Sequence, residues 1–166
     1  MFPGEFRMNE ATFDIKEAHR WFAIHCNNSA WDLLDQTERS EDENVEMIHL
    51  GHAAMFHWSR VGTVVQRQRS LCLLGNIFAE LKKGTPAVEY GEACLKLIEK
   101  NPELMEDYDW AFGYECLARA YAAAGNRKES LEHRTLAEKT GKKIADPDDK
   151  RTFEESFATR NWHGVA

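Results

Sequence analysis

Tyr114-Glu115-Cys116-Leu117-Ala118-Arg119-Ala120-Tyr121, then Gly125-Asn126, then Ser130-Leu131-Glu132-His133-Arg134-Thr135-Leu136-Ala137, is the stretch on which the fold turns. Ala118 is small and sits midway along an apolar run, with Tyr114, Leu117 and Tyr121 at offsets −4, −1 and +3. This spacing sets bulky side chains about a turn either side of a small one. A second helix then approaches closely and fills the flanking grooves. Gly125-Asn126 stops the run, and a second helix follows at once. The stretch reads as two antiparallel helices joined by a tight turn.

The same offsets recur upstream. Gly75 is flanked by Leu71, Leu74 and Phe78, and Ala30 by Cys26, Ser29 and Leu33. The partner helices repeat as well: Met47, Gly51 and Ala54 align with Ala87, Gly91 and Cys94, then with Ser130, Arg134 and Ala137. Arg134 replaces a small residue, as expected where a last repeat faces a capping element. The spacing gives three helical hairpins with a period of about 40 to 45 residues.

Helix signals set the boundaries. Asp14 with Glu17 and Ser40 with Glu43 have capping-box spacing, opening helices that run to about Glu38 and Arg60. The Gly62-Thr63 break precedes a third helix over 64–83. Thr85-Pro86 supplies an N-cap with proline at the first helical position of a fourth, reaching Lys100. After a loop at Asn101-Pro102, helices are expected over 107–124 and from Gly125-Asn126 to Gly141. Asp146-Pro147 begins a seventh that carries Phe153 and Phe157 on one face. No segment alternates as a strand does.

The chain resembles the tetratricopeptide repeat (TPR-like) family. Leu117, Ala118, Tyr121, Gly125 and Ala137 fall on family positions in the last hairpin, and Leu74, Gly75, Phe78 and Ala87 in the one before. The departures are a period longer than 34 residues, Ser130 for the usual alanine and Gly91 for the consensus aromatic. Glu46-Met47-Ile48-His49, His57-Trp58 and Ala145-Asp146-Pro147-Asp148-Asp149 also make the chain similar to small bacterial helical-repeat proteins of unassigned function.

The resemblance implies an all-α, right-handed superhelix of antiparallel hairpins over about 14–60, 64–100 and 107–141. A capping helix over about 147–160 would close it, the whole forming one domain. It implies a protein- or peptide-binding scaffold, in which the first helix of each hairpin lines a concave groove. The family's groove positions correspond here to Asn27, Trp31, Arg69, Asn76, Phe112, Glu115 and Arg119, with Cys72 and Glu80 between them. Members that clamp a terminal carboxylate use lysines and asparagines, of which only Asn76 matches, so no chaperone-tail binding is expected.

Composition narrows the alternatives. The 166 residues fit one domain, and 43% hydrophobic with 30% charged residues is ordinary for a globular chain. A net charge of −7 argues against nucleic acid, whose phosphates need a cationic face. No apolar run approaches the ~20 residues of a membrane span, and no signal peptide is read at the N-terminus. Cys26, Cys72, Cys94 and Cys116 form no Cys-x-x-Cys pair and read as small buried hydrophobes in a reducing, cytoplasmic setting.

Catalytic motifs are absent from the sequence. There is no nucleophile elbow and no glycine-rich phosphate loop, and the chain reads as a non-enzyme with no cofactor. The rival reading is a metal or enzymatic site around His25, His49 and His52. Glu46-x-x-His49 has the spacing of di-iron bundles, but the second such motif they require does not occur. Glu46, His49 and His52 are therefore the residues a metal would use, and none is expected. A third reading is a structural homo-oligomer, such as a homodimer.

Overall fold

The computed structural model describes residues 12–165, and these are helical without a strand. The elements are α1 (Ile15–Leu34), α2 (Glu41–Val61), α3 (Val64–Glu80), α4 (Gly84–Lys100), a 3-10 turn (Pro102–Leu104), α5 (Asp107–Ala123), α6 (Arg127–Gly141) and α7 (Pro147–Thr159). Among the described residues no helix is long and apolar enough to cross a membrane.

The caps explain most boundaries. Asp14 accepts hydrogen bonds from the Lys16 and Glu17 backbone N–H groups. Ser40 and Glu43 close the full reciprocal box, as do Thr63 and Gln66 at the start of α3. α1 stops at Leu34 rather than near Glu38. There the Arg39 guanidinium donates to the Leu33 carbonyl at 3.0 Å, satisfying an acceptor that a helix end leaves open, and pairs with Glu80 at 3.0 Å. α4 starts at Gly84, not after Thr85. The Lys83 N–H bonds back to the Phe78 carbonyl at 2.8 Å, and Lys82 takes a positive φ of 56°. That closes the turn early enough for Pro86 to fall in the first turn, where its missing N–H costs nothing.

Helices consecutive in sequence pack most extensively, α1 on α2, α3 on α4 and α5 on α6. Gln68 meets Cys94 while Gly75 meets Gly91, so α3 and α4 run antiparallel. α3 and α5 are also neighbours, but parallel: Arg69 meets Asp109, Cys72 meets Phe112 and Gly75 meets Cys116. Gly75 is needed for this approach, since a methyl group there would lie 2.5 Å from Cys116 Sγ.

The core sits where the aligned small and bulky positions predict. Ala30, Met47, Gly51, Ala54, Gly75, Ala87, Gly91, Cys94, Ala118, Ser130 and Ala137 are all buried. The four cysteines are free and buried. Phe153 of α7 is buried against Ala111, Ala137 and Ile144, with its ring close against Gly141. Arg134 faces the C-terminal segment, donating to the Val165 carbonyl at 2.9 Å and lying over the Trp162 ring.

Candidate functional site

The first helices of the three pairs converge on one cavity of about 380 Å3. α1 and its C-cap contribute Asn27, Trp31 and Asp35; α3 contributes Gln68, Arg69 and Cys72; α5 contributes Tyr108, Asp109 and Phe112. The remaining wall is α7 with its C-cap: Thr152 and Ser156, four residues apart on one face, and Arg160 just past the helix end. Four of the expected groove residues, Asn27, Trp31, Arg69 and Phe112, are thus brought together.

Two ion pairs frame the cavity. Arg69 grips Asp109 through two parallel bonds, Nε to Oδ1 at 2.8 Å and Nη2 to Oδ2 at 2.9 Å, and its guanidinium lies over the Tyr108 ring. Asp109 is only 2% exposed and also accepts the Glu106 N–H, so the same carboxylate caps α5 and anchors α3. The hydrogen bond to Asp109 pushes the Arg69 guanidinium further up, keeping it charged despite partial burial. Across the cavity, Arg160 pairs with Asp35, donates to Ser156 Oγ at 3.1 Å and lies over Trp31.

Asn76, Glu115 and Arg119 lie deeper than an open groove would place them. The Asn76 amide donates to the Cys72 carbonyl at 3.0 Å. Glu115 and Arg119, 2% and 3% exposed, bond each other at 2.6 Å. Arg119 also donates to the Ser156 carbonyl and lies under Trp162, while Ser156 Oγ bonds Glu115 Oε1 at 3.1 Å. For Glu115 and Arg119 the cause is α7 and the tail after it, which cover them. Glu80 bonds Arg39, and neither of the two lines the cavity.

The histidine candidates are arranged otherwise. Glu46 and His49 are exposed on α2, His25 is exposed and stacks on Trp21, and His52 lies edge-on to Phe78 and Tyr90. Burial, and then His49, lowers the His52 pKa. Among the described residues no three His, Cys, Asp or Glu side chains group as metal ligands. A contact outside the sequence reading joins α1 to α2, His19 Nδ1 to His57 Nδ1 at 2.7 Å. Trp21, Phe22 and Phe56 are exposed on the same two helices.

Sequence reasoning missed Gln68, Tyr108 and Asp109, and the whole α7 wall. The Arg69 to Asp109 separation of 40 residues matches the repeat spacing, and that was the available signal. No protein-family model, curated protein or solved structure matches the chain.

Proposed function

We propose that this chain is a TPR-like, cytoplasmic binding module, a short right-handed superhelix of helical hairpins that recognises a protein or peptide. Recognition centres on the cavity between α1, α3, α5 and α7, which takes one side chain of the partner. The observation carrying this reading is the convergence of Asn27, Trp31, Arg69 and Phe112 from three first helices onto one largely apolar cavity. Its volume lies at the lower end of the few hundred Å3 typical of ligand pockets, which suits a single anchoring group. The parallel packing of α3 on α5, through residues about 40 apart, supports the repeat assignment.

A displayed random-peptide library panned against the full chain tests the proposal. Enriched sequences are expected whose binding falls at least about tenfold with Phe112→Ala or with Asn27→Trp, which adds bulk to the lining. Circular dichroism checks that helical content is kept. Peptides that bind both variants as well as the parent would place recognition elsewhere.

A further inference from the structure

Past the end of α7 the chain lies against α5 and α6, held there by side chains rather than by a backbone ladder. Residues 161–165 have one backbone–backbone bond among themselves, from the Val165 N–H to the Trp162 carbonyl at 2.9 Å. The Trp162 indole donates to the Phe157 carbonyl at 3.0 Å, and the Arg119 and Arg134 guanidiniums lie over its ring at 4.8 and 4.5 Å. Arg127 donates to the Gly164 carbonyl at 3.4 Å and Arg134 to the Val165 carbonyl at 2.9 Å. Val165 itself is buried. A bound peptide is gripped in this way, by an aromatic anchor and by donors that take its main-chain carbonyls.

The tail is not the best occupant of its own site. His163 takes a positive φ of 50°, which a residue with a Cβ adopts at a cost, and its Nε2 is buried with no partner among the described residues. The arginines are also under-supplied. Among the described residues neither Arg127 nor Arg134 pairs with a carboxylate. Glu138, one turn from Arg134, is held by Lys142 at 2.7 Å. Both guanidiniums therefore settle for neutral carbonyls, where a carboxylate would make charge-assisted bonds about twice as strong.

We propose that residues 161–165 are a built-in, displaceable occupant of a second peptide site, and that the partner segment displacing them carries an aromatic residue followed, two or three residues on, by a glutamate or aspartate. The ring takes the place of Trp162 at Arg119 and Arg134, and the carboxylate replaces the Gly164 and Val165 carbonyls on Arg127 and Arg134. The tail is tethered at Arg160 and competes at high effective concentration, so the site opens only to a segment that binds better than the tail does. Arg119, Arg127, Arg134 and Trp162 do not line the cavity, so the two sites stand or fall separately.

Fluorescence anisotropy of N-terminally labelled, C-terminally amidated pentapeptides on the full chain tests this. The peptides are Asn-Trp-Gly-Glu-Val, the same with Gln for Glu, and the same with Ala for Trp. The first is expected to bind at least about tenfold more tightly than either control. Trp162→Ala, which removes the competing ring, should tighten it about tenfold further, and Arg134→Gln should cut the Glu-over-Gln preference to about twofold or less. If Trp162→Ala does not fold, hydrogen exchange at the Val165 amide of the parent replaces it, and the Glu peptide should speed that exchange severalfold by drawing the tail away. Equal affinity for the Glu and Gln peptides, a preference that survives Arg134→Gln, neither a gain with Trp162→Ala nor faster exchange at Val165, or no binding at millimolar concentration overturns the proposal. Asn27→Trp, in the cavity lining, should leave the affinity unchanged. Loss of binding there would assign the peptides to the cavity, refuting the tail site while leaving the cavity reading intact.

Discussion

Glu115 and Arg119 pose the sharpest question at the scale of single residues. Burial raises the Glu115 carboxyl, against the opposing pull of Arg119, Arg160 and the Ser156 hydroxyl; burial likewise lowers the Arg119 guanidinium. Both directions say that the charged pair costs the fold more desolvation than its attraction returns. The folded state therefore holds the Glu115 proton more tightly than the unfolded chain does. Its stabilising contribution is full below the ordinary carboxylate value of about 4.3 and is lost as pH rises through the raised folded value. Whatever the fixed cost of leaving Arg119 beside a neutral amide, Glu115→Gln should gain stability relative to the parent as pH rises from mild acid to neutral. Urea midpoints across that range check this, and a difference independent of pH would refute it. The sequence showed the pair as a favourable i, i+4 match, but not that Ser156 and Trp162 would seal it from water.

For the helices, local signals fixed most boundaries and failed where a tertiary contact set the turn. Ser40 with Glu43 and Asp146 with Pro147 open α2 and α7 as read. Thr85-Pro86 misled because the Lys83 to Phe78 bond closes the turn before that signal is reached. Gly84 is then drawn against the end of α5, where an added methyl group would lie 2.4 Å from the Ala124 Cα and 2.7 Å from its N. Backbone cannot yield there as a side chain would. Gly84→Ala should cost about 2 kcal/mol, read from chemical denaturation, through loss of α4–α5 packing. A loss below about 0.5 kcal/mol would mean that the two helices part freely at this end. Within the candidate site, Asn27, Trp31, Arg69 and Phe112 were among the groove positions that the family resemblance implied, and all four line the cavity. The fourth wall was not, because the Phe153 and Phe157 spacing on α7 says which face is apolar but not which helices it meets.

Across the whole molecule, neighbours in space are near neighbours in sequence. The α3–α5 contacts join residues 40 to 44 apart, and the pairs α1–α2, α3–α4 and α5–α6 are closer still. Among the described hydrogen bonds the widest reach is from Arg160 to Asp35, 125 residues apart. A chain built this way closes short loops first and, for its size, folds quickly. The Arg160 to Asp35 contact, having the widest reach, is then expected to close last, after the barrier has been crossed. Arg160→Ala should leave the refolding rate unchanged within error and speed unfolding severalfold, as stopped-flow measurements across denaturant would read it. Slower refolding would mean instead that the ends of α1 and α7 meet early and template the helices between them.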